Sequence, residues 1–330
     1  MSSSRSSEYT FRPAWWVPGP HAQTLWAKFL RRAPRLSTRT IRVDTPDGDF
    51  LDLVRLDAPA RAPRLFLLHG LEGTEHSHYV GGFLRLAAER NWGADVLLFR
   101  GCGDEPNRAP RFYHSGETTD LDFALSRTLT EFPDADIVLA GVSLGGNVLL
   151  KWLGEHGASL SPRIRAAAAI SVPFDLERGS RRIGRGFSRV YQAHFLRSLR
   201  RKALAKLERF PGLFDAGAAR RARSMYDFDD VVTAPVHGFR DAHDYYCRSS
   251  ALHWLERIRL PTLLLSAVDD PFLPAAVLDD VERAVEHITS IHVEFLEHGG
   301  HVGFVGGTVP WRPFYYAEWR AMNFLARTLA

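Results

Sequence analysis

A serine hydroxyl becomes a strong nucleophile only when a base takes its proton and a third group holds that base in place. One serine of this chain sits in a setting suited to that chemistry: Ala140-Gly141-Val142-Ser143-Leu144-Gly145-Gly146-Asn147. An apolar run, Asp136–Ala140, precedes it, and a helical pattern, Asn147–Glu155, follows. Strand, sharp turn and helix are the context that G-x-S-x-G requires. The turn must be tight enough to push the hydroxyl out, so side chains two positions before and after would collide, hence Gly141 and Gly145. The helix that follows aims backbone N–H groups at oxygen charge that develops during attack. The bland alternative is a chance glycine-rich β–α turn.

A base and its orienter must then come from elsewhere in the chain. Two later loops offer them: Leu265-Ser266-Ala267-Val268-Asp269-Asp270-Pro271-Phe272-Leu273-Pro274, and Glu297-His298-Gly299-Gly300-His301-Val302-Gly303-Phe304. Each follows an apolar run that reads as a strand. Asp269 and Asp270 compete for the orienting role. Asp270 is chosen because it opens a D-P-x-x-P loop that fixes the backbone just past the carboxylate, leaving Asp269 to cap or brace. His298 and His301 compete as base, and His301 is chosen because Gly299-Gly300 gives it a flexible approach to Ser143.

The elements that must position these residues follow from periodicity. Short, β-rich apolar runs cover Thr40–Val43, Phe50–Leu56, Arg64–Leu68, Ala94–Phe99, Asp136–Ala140, Ala166–Ile170, Thr262–Ser266 and Ile291–Leu296. Runs of this kind read as strands covered on both faces. Helical patterns cover Tyr79–Arg90, Gly116–Phe132, Gly146–His156, Ala275–His287 and Pro313–Leu329. Alternation of the two predicts an α/β fold with a mostly parallel, eight-stranded sheet. Thr45-Pro46-Asp47-Gly48 is a turn sequence, so the first two strands form an antiparallel hairpin at the sheet edge. Between Phe174 and Leu260 no strand is convincing. The pattern there is helical and Arg-rich, and predicts a helical cap inserted over the sheet. The expected organisation is an N-terminal arm at 1–35, a core at 36–173 and 261–330, and a cap at 174–260. The charge run in the cap reads either as a solvated helical face or as a basic face turned towards anionic lipid or substrate.

Ser143, then Asp270, then His301 is the α/β-hydrolase order of nucleophile, acid and base, with each residue at the C-terminal end of a strand. In that fold an early strand–loop junction gives a second oxyanion N–H. Here the junction is His69-Gly70-Leu71-Glu72-Gly73, so the two donors are assigned to the backbone of Leu71 and Leu144. His69 braces the loop. A rival reading gathers His69, Glu72, His76 and His78 around a metal, but their spacing matches neither H-E-x-x-H nor a Cys/His finger, so no metal and no cofactor are expected.

Composition narrows the class. The chain has 330 residues, 45% hydrophobic, long enough for a large core without staples. Two cysteines exclude a disulfide-dense scaffold. Its 42 Lys+Arg against 38 Asp+Glu give a net charge of +4, a mild excess without a recognised nucleic-acid motif. No apolar run is long enough to span a bilayer, and MSSSRSSEYTF has no secretory apolar segment, so a cytoplasmic setting is expected, with any lipid contact peripheral.

The chain resembles the YheT-like branch of the α/β-hydrolase superfamily, also called AB hydrolase family 4. Pro13-Ala14-Trp15-Trp16-Val17-Pro18-Gly19, Gln23-Thr24, His69–Gly73 and Arg100-Gly101-Cys102-Gly103 carry the likeness. So do Glu105-Pro106-Asn107, Tyr113-His114-Ser115-Gly116, Gly141–Asn147, Asp269–Phe272 and Gly299-Gly300-His301. The resemblance implies carboxylester hydrolysis by Ser143, Asp270 and His301, without a cofactor. The expected substrate is a small-molecule or lipid ester of short to medium acyl length. Two rivals are an acyltransferase that uses the same three residues and a non-catalytic binding protein of this fold. Arg100 is expected to pair with Asp104 or Asp120, Cys102 to be a small buried residue, and the Trp15-Trp16 arm either to pack on the body or to line an acyl channel or touch lipid. Oligomeric state is not fixed by the sequence.

Overall fold

The computed structural model describes residues 10–329; the serine-rich start and the rest of the first nine residues lie outside them. The elements in chain order are α1 (Gly19–Leu30), β1 (Thr38–Asp44), β2 (Phe50–Leu56), β3 (Arg64–Leu68), α2 (His78–Glu89), β4 (Gly93–Leu98) and α3 (Thr119–Glu131). Next come β5 (Ile137–Val142), α4 (Leu144–His156), β6 (Ile164–Ile170), α5 (Leu176–Ile183), α6 (Ser188–Arg209), α7 (Ala216–Arg221) and α8 (Met225–Phe228). The rest are α9 (Ala234–His237), α10 (Ala242–Ser249), β7 (Thr262–Ala267), α11 (Ala276–Val285), β8 (Ile291–Leu296), β9 (Val305–Gly306), β10 (Phe314–Tyr315) and α12 (Tyr316–Arg327).

Eight strands form one sheet in the order β1-β2-β4-β3-β5-β6-β7-β8. Pairing from β4 through β8 is parallel, while β1–β2 and β2–β4 are antiparallel. The hairpin sits at the edge, as its turn sequence predicts. Gly48, at φ 77°, closes it by donating to the Thr45 carbonyl at 3.0 Å. The central strands are buried along their whole length because helices cover both faces. On one face Val80 and Phe83 of α2 and Met322 and Leu325 of α12 meet Val96, Val138 and Leu263. On the other, Leu121 of α3, Val148 of α4 and Val277 of α11 meet Phe66, Leu139 and Leu264.

Between β6 and β7 the chain runs through helices and turns only. The last of these, a 3₁₀ turn at Ala251–Arg257, returns to the body, where Leu255 and Ile258 join the core beside α4. Buried Asn147 fastens that return. Its amide donates to the carbonyls of Ser115 and Ser249, both at 2.8 Å, and its oxygen accepts from the Ala251 N–H at 2.9 Å. Two elements have no counterpart in the sequence reading. One is α1, in the arm. The other is the short β9–β10 ladder, on which Pro13 makes a bridge to Gly306. Among the described residues, no helix is long and apolar enough to cross a membrane.

Candidate active site

Ser143 connects the last residue of β5 to the first turn of α4. Its backbone is at φ 54° and ψ −122°, outside the regions that side chains ordinarily favour. The turn keeps that shape because its neighbours are glycines. A Cβ on Gly141 would stand 2.5 Å from the Gly145 carbonyl oxygen, and one on Gly145 would stand 2.4 Å from the His69 oxygen. The Ser143 N–H is held by the Ile170 carbonyl at 2.8 Å, which locks the turn to β6. The hydroxyl projects at the C-terminal edge of the sheet and is only partly buried.

The loops after β7 and β8 bring Asp270 and His301 to the same edge. His301 Nε2 lies 2.9 Å from Ser143 Oγ, and His301 Nδ1 lies 2.8 Å from Asp270 Oδ2. With a carboxylate at Nδ1, the ring proton belongs there and Nε2 is left to accept from the hydroxyl. Asp270 is itself held, because its Oδ1 accepts from the Phe272 N–H at 2.7 Å. Phe272 then covers the imidazole, with ring centroids 4.1 Å apart. The neighbouring candidates do something else. Asp269 Oδ1 accepts from the N–H groups of Gly299 and Gly300 at 3.0 and 2.8 Å, so it shapes the loop that carries His301. His298 is mostly exposed, with its Nδ1 3.3 Å from Asp269 Oδ2.

The loop after β3 faces Ser143 from the other side. The Gly70 N–H donates to Tyr79 Oη at 2.7 Å, that of Glu72 to Tyr113 Oη at 2.8 Å, and that of Gly73 to the Gly70 carbonyl at 2.9 Å. Leu71 is left as the member of this loop whose N–H meets no acceptor among the described residues, and the same holds for Leu144 at the start of α4. Both residues line a cavity with Ser143 and His301. His69 braces the loop: its Nδ1 is 2.8 Å from the Gly70 oxygen, and its Nε2 accepts from the Phe99 N–H at 3.1 Å. Burial pushes its pKa down to about 4, so the ring stays neutral. His69 and Glu72 are thus committed to protein partners. Among the described residues no three His, Cys, Asp or Glu side chains gather as a metal-binding group.

The cavity lies between the sheet edge and the helices of the β6–β7 insertion, with a volume of about 780 Å³. Leu176, Ile183, Phe195, Leu199, Phe228 and Val232 give it apolar walls. Arg100, two residues past β4, is among the residues that line it. Its guanidinium makes a two-pronged pair with Asp120 at 2.7 and 2.8 Å and a further contact with Asp49 at 2.6 Å. The partner is Asp120, in the first turn of α3, rather than Asp104. Cys102 is buried, and its thiol is pushed up to about 12 by burial, which removes it as a nucleophile.

Three contributors escape a reading of the sequence alone. Thr24 Oγ1 on α1 accepts from the His301 N–H at 2.9 Å, and buried Gln23 accepts from the Val305 N–H at 2.7 Å. The arm therefore buttresses the histidine loop. Glu72 is the third. It sits at φ 55° next to Leu71, and its carboxylate accepts from Tyr113 Oη at 2.9 Å, from Lys202 Nζ at 2.9 Å and from the Ser198 hydroxyl. The one signal was that Gln23-Thr24 and Glu72 fall inside motifs carrying the family likeness.

Comparison with known proteins agrees with this fold. The alpha/beta hydrolase fold family matches residues 63–308. The Escherichia coli (strain K12) protein named "Putative esterase YheT" is 41% identical over 309 residues, covering 92% of this chain and 89% of that one. The mouse protein named phospholipase ABHD3 is 30% identical over 311 residues, covering 91% of this chain and 74% of its own length. In three dimensions the Pyrococcus furiosus esterase Pf2001 superposes with a TM-score of 0.58 at 16% identity, over 88% of this chain and 93% of that one, a likeness of fold. The chain belongs to the alpha/beta hydrolase fold family, in the branch that contains YheT.

Proposed function

We propose that the protein hydrolyses carboxylic esters of short to medium acyl length, lipid esters included, through an acyl-enzyme on Ser143. The observation that carries this reading is the run of two contacts, Ser143 Oγ to His301 Nε2 at 2.9 Å and His301 Nδ1 to Asp270 at 2.8 Å, at the strained turn. His301 takes the hydroxyl proton as Ser143 attacks the ester carbonyl, and Asp270 holds the ring and stabilises its positive form. The Leu71 and Leu144 N–H groups receive the oxyanion, each such donor worth about 10²–10³ in rate. The tetrahedral intermediate collapses, His301 protonates the leaving alcohol, and the acyl group stays on Ser143. Water, deprotonated by His301, then repeats the sequence and releases the acid.

The apolar cavity walls support an acyl chain as the group bound beside Ser143, and the volume falls in the usual range of small-ligand pockets, about 300–1,000 Å³. Names of esterase and phospholipase among the relatives favour the same substrate class. The test is turnover of p-nitrophenyl esters from acetate to palmitate by the parent and by Ser143→Ala. Turnover is expected to be lost by about 10⁴-fold or more, with an unchanged circular-dichroism spectrum. Turnover by the alanine variant at the parent's rate would defeat the proposal.

A further inference from the structure

We propose that the outer face formed by α1, the start of α6 and the loop at 307–312 docks on an anionic lipid surface. The described residues that expose large apolar side chains are Phe29 and Leu30 on α1, Phe187 and Val190 at the start of α6, Trp311 in the loop, and Trp15, which precedes α1 and is tied to the loop. Trp15 and Trp311 are 77% and 78% exposed. Contacts hold the segments side by side. The rings of His21 and Phe187 are 4.6 Å apart, and Lys28 Nζ lies 3.4 Å from His194. Trp15 and Trp16 donate their indole N–H to the Thr308 and Gly307 carbonyls at 3.0 and 3.1 Å. These contacts tie the segments to one another, and among the described residues their apolar groups stay exposed.

The charge on the same segments has one sign. Residues 11–35 and 178–207 contain no Asp or Glu. Arg31, Arg178 and Arg181 are paired with carboxylates from outside those stretches. Lys28, Arg32, Arg35, Arg185 and Arg189 are exposed and have no carboxylate partner among the described residues. Beside α6 the positive field continues into a groove lined by Arg200, Arg220, Arg221 and Arg223. Exposed indoles among unpaired cations, without acids, complement the boundary of an anionic bilayer: rings enter the headgroup level, and cations gain from the negative surface potential. No described helix is long and apolar enough to span a bilayer, so the contact is one of lying on the surface.

The inner sides of the two helices give the contact a use. Thr24 and Leu25 of α1 and Tyr191 and Phe195 of α6 line the cavity that holds Ser143. Docking would bring that cavity to the layer where acyl esters reside. This consequence rests on the ester-hydrolase reading above; the docking itself does not.

Cosedimentation of the full chain with phosphatidylcholine vesicles, with and without phosphatidylglycerol, tests the inference. Binding is expected only with phosphatidylglycerol, and it should weaken as salt rises. R185Q/R189Q should weaken it by about 25-fold, since each basic residue at such a surface is worth about fivefold in affinity. W15A/W311A should weaken it further, while both variants cleave a soluble p-nitrophenyl ester as the parent does. Ser143→Ala should bind vesicles normally, so a failed esterase assignment leaves the docking result readable. Absence of binding to the anionic vesicles, binding that both double variants leave intact, or a dimer that they split would each overturn it.

Discussion

Glu72 offers a sharp test of how the loop proposed to receive the oxyanion is held. A residue with a side chain at φ 55° costs about 1–3 kcal/mol relative to relaxed backbone, so something must hold it there. The structure supplies the means on both sides of the residue. Its N–H donates to Tyr113 Oη at 2.8 Å, and its carboxylate accepts from Tyr113, Ser198 and Lys202. Ser198 and Lys202 belong to α6, so the carboxylate ties the insertion to the loop that carries the Leu71 N–H. Glu72→Gln keeps the shape and the Tyr113 contact but removes the charge that Lys202 pairs with. A hydrogen bond to a charged group contributes about 1.5–3 kcal/mol, comparable to the strain it offsets. Once the loop relaxes, the Leu71 donor is misplaced, and its full loss sets a ceiling of about 10²–10³ in rate. The expected outcome is kcat lowered by about 10- to 100-fold with KM changed by less than about threefold, because the loss falls on the transition state. Steady-state kinetics on p-nitrophenyl butyrate would measure it, with Lys202→Met and the double variant completing a cycle. If both act through one contact, the double variant loses no more than Glu72→Gln alone. A kcat within twofold of the parent, or a loss confined to KM, would refute the positioning role.

Three further outcomes follow from the buried polar groups. Asp229 accepts from Thr233 and Tyr246 at 2.6 and 2.7 Å, yet burial pushes its pKa up to about 6. The folded protein therefore holds this proton more tightly than the unfolded chain, and the stability it contributes in acid is lost as pH rises from about 4 through about 6. Asp229→Asn should flatten that dependence and be more stable than the parent above pH 6, by up to roughly 3 kcal/mol, in urea unfolding from pH 4 to 8; parallel curves would contradict this. Arg100→Met leaves Asp49 and Asp120 buried without their cation and should cost about 3–5 kcal/mol in urea unfolding. Cys102, with its thiol raised to about 12, should resist iodoacetamide at pH 8 in the folded protein while exposed Cys247 reacts, as peptide mass mapping would reveal.

The parts of this fold that read well from sequence are those set by local chemistry. Phe50–Leu56, Arg64–Leu68 and Ile291–Leu296 are dense apolar runs, and the strands occupy those residues. The turn at Ser143 was legible because the glycine at each end answers a steric demand that only glycine meets. Likewise the D-P-x-x-P loop marked Asp270 as the residue its backbone would hold. Other features depend on packing between distant segments and leave little periodic trace. Helix α1 begins at Gly19-Pro20 and has only Gln23 and Ala27 buried, so its apolar pattern is too sparse to announce it. Its importance comes from Thr24 meeting the His301 N–H, 277 positions away. The Glu72–Lys202 contact spans 130 positions and joins a loop to a helix whose charge run reads as an ordinary solvated face. Arg100 could pair with either of two acids by proximity in sequence; the folded chain pairs it with Asp120, in the first turn of α3.

The central claim is that Ser143 is the atom that takes the acyl group. Incubating the protein with a fluorophosphonate and mapping the adduct by mass spectrometry tests it most directly, because the reagent reports an activated serine and needs no knowledge of the natural ester. One phosphonyl group is expected, on the peptide that carries Ser143, with labelling abolished in Ser143→Ala and slowed by at least about 10³-fold in His301→Ala. An unlabelled protein, or an adduct at another residue that persists in Ser143→Ala, would contradict it.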